Sequence, residues 1–329
     1  MSILYPPTEG NERRAIAQAV GIAACVYQDK ELTLRSWLEP ESEVLYWYRT
    51  NRWFNPRAAV CRTTPFTYYV AIEGTMGLSQ ASFQGGPLNT LWFQEEDGFG
   101  PGAFYVDAAK SIGDELIEYL PWEVNATEFI LTGHSQGGAL AMIFARRLMQ
   151  LVGVDRVYLV TFGQPRTVAS DWRGPLPAVY LRAGSTQDAV TQYPGNSNSW
   201  LLSQAVTPSS WVPGLNRWGH YGRYLPINYK GEFLQNPPVL GPIPRGVKVG
   251  DWVEHGLENY AARLRAYEEN SALPDPVVNE AVNLAFSALD SDPALRTDGP
   301  FIRQMGLTPQ QEASLAIRVG MAWLPQRDE

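Results

Sequence analysis

The sequence predicts an α/β fold in which a mostly parallel central sheet is flanked by helices. Three observations carry that expectation. The run at 128–132 is short and apolar, passes at once into Gly133-His134-Ser135-Gln136-Gly137, and is followed at 138–148 by a stretch with a wide apolar face. That order reads as strand, sharp turn, helix. The run at 157–162 is continuously apolar, as strands buried on both faces are, and 178–183 repeats the pattern. Each is closed by a Gly-rich turn, Gly163-Gln164-Pro165 after the first and Gly184-Ser185 after the second.

Along the chain, 67–72 (Thr-Tyr-Tyr-Val-Ala-Ile) predicts an earlier strand, and Glu73-Gly74-Thr75-Met76-Gly77 a tight loop behind it. The run at 15–26 follows Arg13-Arg14 and has the outline of a signal peptide, but Gln18 interrupts it and it is read as a helix. Pro226, Pro237, Pro238, Pro242 and Pro244 predict an extended surface excursion rather than regular structure. Helices are expected at 257–267, 276–289 and 309–323, the last with Thr308 as N-cap, Pro309 in the first turn and Gln311 closing a capping box.

The pentapeptide around Ser135 has the context of a nucleophile elbow, in which glycines let the backbone bend so that the serine hydroxyl stands above the sheet edge. Outside that context it is a Gly-rich turn with a helix-capping serine. A serine hydroxyl needs a base, and the base an orienting acid. The chain holds three histidines, His134, His220 and His255, and the first lies inside the elbow, which leaves His220 or His255 as base. In parallel sheets the working residues sit on loops at the carboxyl ends of strands. Asp188 occupies such a loop two strands beyond Ser135. It is preferred to Asp171, which lies in the polar stretch Ala169-Ser170-Asp171-Trp172-Arg173. The oxyanion donors are the backbone N–H groups of Gln136, the residue after the nucleophile, and of Thr75 in the loop behind the early strand.

These pieces together resemble the class 3 lipases, the fungal-lipase-like branch of the α/β-hydrolases. That family pairs an R-G-(S/T) oxyanion loop with a G-H-S-L-G-G elbow, followed by G-x-P-R, an acid-bearing D-x-V, an H-x-G and a base-bearing D-H-x-x-Y segment. The matching stretches are Glu73-Gly74-Thr75, Gly133-His134-Ser135-Gln136-Gly137-Gly138, Gly163-Gln164-Pro165-Arg166, Asp188-Ala189-Val190, His220-Tyr221-Gly222 and Glu254-His255-Gly256-Leu257-Glu258-Asn259-Tyr260. The resemblance runs from about Ala15 to Leu264. It implies the α/β-hydrolase fold, opened by a helix that crosses the sheet. It also implies a Ser135, Asp188, His255 triad, with His220 on the structural H-x-G segment. Two departures stand out. Gln136 replaces Leu and should keep its backbone donor, whereas Glu73 replaces Arg and brings a carboxylate beside the oxyanion loop unless it turns away or finds a cation.

The resemblance further implies a carboxylic-ester hydrolase (triacylglycerol lipase or esterase) acting on a small-molecule or lipid ester. Alternatives on the same triad are feruloyl-ester cleavage or phospholipase A1-type hydrolysis, and outside catalysis a binding module of hydrolase fold. The substrate-facing expectation covers Leu78 and Phe83, in the short stretch where the family carries its lid, together with His134, Trp200, Trp211 and Trp218. The tryptophans either wall an acyl pocket or plug a core edge.

Composition fits that class. Among 329 residues, Lys+Arg 26 against Asp+Glu 34 gives −8, with no basic run of the kind that binds nucleic acid or anionic lipid. No apolar run approaches the ~18 residues of a membrane span, so contact with a lipid surface is expected to be transient. No Cys/His cluster suggests a metal, and no cofactor is expected. Cys25 and Cys61 could pair or stay free, and a soluble protein is expected with cytoplasmic and secreted both open. The division expected is a hydrolase domain at 1–270 with a helical extension at 271–329 docked on it.

Overall fold

The computed structural model describes residues 7, 11–38, 40–48, 56–74, 112–122, 124, 127–165, 167–169, 174–184, 188, 191, 218–219, 221–226, 255–269, 271 and 273–289. Chain order begins with helices α1 (Glu12–Tyr27) and α2 (Glu31–Trp37) and strands β1 (Glu43–Tyr48), β2 (Ala58–Thr64) and β3 (Thr67–Ile72). After them come β4 (Glu128–His134), α3 (Gln136–Val152), β5 (Val157–Phe162), β6 (Val168–Ala169), β7 (Val179–Gly184), β8 (Trp218–Gly219) and β9 (Arg223–Pro226). Helices α4 (Leu257–Glu269) and α5 (Pro276–Ala288) follow.

One sheet of seven strands has the order β1-β2-β3-β4-β5-β7-β9. The first three strands form an antiparallel meander, and β3, β4, β5, β7 and β9 run parallel. The parallel strands read as unbroken apolar runs because both faces of the sheet are covered. Tyr69, Ala71, Ile130, Val160, Phe162, Leu181 and Ala183 pack with residues of α1, α4 and α5. Their alternates Tyr68, Val70, Ile72, Phe129, Leu131, Leu159 and Tyr180 pack with α3 and with Ile112, Leu116 and Leu120.

Helix α1 is buried from Ala15 to Val26. A helix apolar on every side belongs in a core, which is why that run has the outline of a signal sequence. It passes so near α5 that a Cβ at Gly21 would stand 2.8 Å from the Ala281 carbonyl oxygen. Asp275 caps α5 by accepting the Val277 N–H at 3.0 Å, with Pro276 in the first turn, where it gives up no helical hydrogen bond. Arg13 lies 3.1 Å from the buried Glu268 carboxylate, and Arg14 pairs with Asp275.

The architecture is the α/β fold expected, a mostly parallel sheet covered by helices on both faces. One expectation is amended: Pro226 belongs to β9, opposite Gly184 at the end of the register, a sheet edge where a residue without an N–H is tolerated. The helix expected at 309–323 lies outside the described residues. Cys25 and Cys61 are both buried free thiols, and burial raises both, Cys61 to about 12. No helix among the described residues is long and apolar enough to cross a membrane.

Candidate active site

Ser135 stands between β4 and α3 with φ 56 and ψ −127, and its N–H is bonded to the Phe162 carbonyl at 2.9 Å. Such a backbone costs about 1–3 kcal/mol in a non-glycine residue and persists only where its surroundings enforce it. The glycines have the role expected of them, letting the chain bend here without a Cβ clash. A Cβ on Gly133 would lie 2.4 Å from the Gly137 carbonyl, and one on Gly137 would lie 2.2 Å from the Ile72 carbonyl oxygen. The first turn of α3 is thereby pressed between two strand ends.

Strand β7 ends at Gly184, and Asp188 lies just beyond it with its side chain out of contact with solvent. His255 stands two residues before α4. Its Nδ1 is 2.9 and 3.0 Å from the two Asp188 carboxylate oxygens. Tyr260, one turn into α4, donates its hydroxyl to Asp188 Oδ2 at 2.6 Å. Burial pushes the Asp188 carboxyl up, but the charge and hydrogen bond of His255, the Tyr260 hydroxyl and the nearby His134 outweigh it, and Asp188 lies below its ordinary value. An ionised carboxylate can only accept, so His255 carries its proton on Nδ1 and offers Nε2 as a lone pair. That Nε2 is buried and has no hydrogen-bond partner among the described residues. The Ser135 hydroxyl is therefore not bonded to it in this structure; such contacts are often long in substrate-free sites.

Two further residues hold the pair. Gly163, after β5, has φ +52, and a Cβ there would meet Asp188 Oδ2 at 2.8 Å and the His255 ring at 2.9 Å. His134 is only 3% exposed, and its ring lies 4.6 Å from that of His255. Its Nε2 is 2.6 Å from the His255 carbonyl oxygen, which can only accept, so Nε2 carries the hydrogen. Burial, then the charge on His255, lower His134 from 6.5 to about 3 and keep it neutral. His134, expected among the substrate-facing residues, makes contacts with His255, Tyr27 and Tyr260.

Glu73, the departure at the oxyanion loop, is 3% exposed and has found a cation. Its Oε2 accepts the Arg57 backbone N–H at 2.7 Å, and Arg57 Nη2 lies 2.9 Å from Oε1. The second contact lacks hydrogen-bond geometry and holds by charge. Burial raises Glu73 to about 7, against the pull of Arg57.

The structure thus brings together His134, Asp188 and His255, with His134 directly preceding Ser135 and Gln136 in the chain. Thr75, Leu78, Phe83, Trp200, Trp211, Asp171 and His220 lie outside the described residues, as does the side chain of Trp218. The sequence alone assigns no role to Arg57, Gly163 or Tyr260. Tyr260 stands in the same motif as His255, and Arg57 falls opposite Glu73 once the β2–β3 register, with Ala58 facing Ile72, is known. Among the described residues no group of three or more His, Cys, Asp or Glu is placed to hold a metal ion.

Residues 77–198 match the family described as lipase (class 3). The matched stretch contains Ser135 and Asp188 but not His255. No curated protein matches the chain. Among solved structures, lipase II from Rhizopus niveus is similar with 17% identity, covering 68% of this chain and 82% of that one, at a TM-score of 0.48. The Rhizomucor miehei lipase propeptide complex is similar with 17% identity over 68% of this chain and 70% of that one, at 0.46. A lipase from Rhizopus microsporus var. chinensis has 16% identity over 68% and 76%, at 0.45. Through residues 77–198 the chain is thus similar to the class 3 lipases.

Proposed function

We propose that this protein is a serine carboxylic-ester hydrolase for acylglycerols or esters with short or medium acyl chains. The observation that carries the reading is the Asp188–His255 pair, held at 2.9 Å and in contact with His134, the residue before a serine with positive φ between β4 and α3. In this reading Ser135 Oγ attacks the ester carbonyl while His255 Nε2 takes its proton. Asp188 keeps Nδ1–H pointed away from the reaction and stabilises the imidazolium that forms. The N–H groups of Gln136 and Thr75 hold the tetrahedral oxyanion. His255 then returns the proton to the leaving alcohol, and water, activated by the same imidazole, releases the acyl group. Both the close contacts of Gly163 and the His134 hydrogen bond support it, since each restricts where the His255 ring can lie. Domain 1–270 would supply this site, with 271–329 docked on it through α5.

The test is a fluorophosphonate that labels activated serines, followed by p-nitrophenyl esters of graded length with feruloyl and phospholipid esters beside them. Labelling at Ser135 with turnover of short and medium esters is expected. No labelling in folded protein would leave a non-catalytic module. Labelling with turnover of feruloyl esters or phospholipids alone would move the substrate class.

A further inference from the structure

The carboxylate at Glu73 stands one residue before Gly74, and that part of the chain lies against the elbow. A Cβ on Gly74 would be 2.4 Å from the His134 carbonyl oxygen and 3.2 Å from Ser135 Cβ, and one on Gly137 would be 2.7 Å from the Glu73 carbonyl. Movement of the β3 end therefore moves the surroundings of the nucleophile. Arg57, just before β2, holds that end three times over. Its carbonyl accepts the Glu73 N–H at 2.8 Å, its own N–H donates to Oε2 at 2.7 Å, and its guanidinium lies 2.9 Å from Oε1.

We propose that Arg57 is a positioning residue for the ester hydrolysis described above: by anchoring and neutralising the Glu73 carboxylate, it fixes the end of β3 against the nucleophile elbow. The inference rests on that reading of the site. A buried carboxylate without its cation is expensive, and the chain around it shifts to reach water or a new donor. It would also set negative charge beside the place where the oxyanion forms, opposing the reaction directly. Glu73 also interacts with Tyr27, at the end of α1, and with Asp29 just after it, and neither can replace the Arg57 charge.

Arg57→Met, Glu73→Gln and the double variant test this on a soluble short-chain ester. Arg57→Met should lower kcat roughly 10-fold or more with little change in KM, as a defect in oxyanion stabilisation does. Its kcat relative to the parent should fall further as pH rises and the unpaired carboxylate ionises. Arg57→Met/Glu73→Gln should recover most of the loss and show a flat ratio against pH. A merely structural contact would be rescued in the thermal midpoint alone, with the kcat of folded Arg57→Met left at the parent's value. An Arg57→Met protein with the parent's kcat, or a double variant no better than Arg57→Met, overturns the proposal. If Arg57→Met does not fold, Arg57→Lys against the parent serves instead, with a preserved kcat expected because the charge remains and a loss as large as 10-fold contradicting it. The parent is assayed first: an inactive parent refutes the hydrolase reading, whereas an active parent with indifferent variants refutes only the clamp.

Discussion

His134, the residue before the nucleophile, donates its Nε2–H to the backbone carbonyl of His255 at 2.6 Å. The elbow and the loop that brings in His255 are thus joined across 121 positions of sequence by one buried hydrogen bond. The bond requires His134 to be neutral with its hydrogen on Nε2. Burial and the neighbouring His255 supply that condition by lowering His134 to about 3.

Ser135→Ala and His255→Ala should each abolish ester turnover in folded protein, with losses on the order of 10⁴-fold or more, because the members of a triad act as a unit. Asp188→Asn should cost roughly 10⁴-fold, since the amide admits the wrong imidazole tautomer. His220→Ala and Asp171→Asn should keep substantial turnover. Steady-state kinetics on one short ester decide all five, and a dead, well-folded His220→Ala beside an active His255→Ala would reverse the assignment of the base.

Gly163→Ala should be nearly inactive without touching any reacting atom. Its Cβ would stand 2.8 Å from Asp188 Oδ2 and 2.9 Å from the His255 ring at a φ of +52, so either the pair opens or the turn after β5 deforms. The backbone strain alone costs about 1 kcal/mol or more. Thermal unfolding should show a modest loss, while kcat falls much further. A variant with parental kcat would mean that the pair can be displaced without consequence.

How far the site was legible follows from what each residue depends on. Asp188 and His255 could be placed because a parallel sheet delivers its loops to one edge, so counting strands and matching motif order puts residues from distant parts of the chain side by side. Gly163 could be seen only as part of a turn. Its reason, a backbone passing under the Asp188–His255 contact, exists only once β5, β7 and α4 are assembled. The Arg57–Glu73 pair depends on an antiparallel register between β2 and β3 that composition does not reveal, although the replacement of Arg by Glu at 73 marked the place to look. The link from His134 to His255 could not be read from the sequence, because it joins residues 121 positions apart and exists only once β4 and the chain before α4 are assembled.

The protein should prefer short or medium acyl esters and lack strong interfacial activation. A lid opens on oil by exchanging buried apolar area for lipid contact, and at about 25 cal/mol per Å² the two bulky apolar residues Leu78 and Phe83 provide only a few kcal/mol. Gly77, Gly85 and Gly86 add backbone freedom that weakens a closed resting state. Rate against tributyrin concentration checks this, with a smooth curve expected. A sharp jump at the solubility limit would mean that other residues, the 200–218 stretch first among them, supply the apolar cover.

Stability against pH should reflect two buried groups with opposite signs. His134 is lowered from 6.5 to about 3. Between those values the unfolded chain binds its proton and the native state does not, so this group makes stability rise with pH. Glu73 is raised from 4.5 to about 7. Between those values the native state holds the proton, so its contribution is full below 4.5 and is lost as pH rises through 7. Each slope is about 1.4 kcal/mol per pH unit, and from 4.5 to 6.5 they cancel. Asp188, lowered from 3.8, acts only below that window. Glu73→Gln removes one slope and leaves the other. The variant should therefore gain on the parent by about 3 kcal/mol from pH 4.5 to 7, read as a growing separation of their urea midpoints. A separation that stays constant with pH would show that Glu73 is ionised throughout, held so by Arg57 more firmly than its burial opposes.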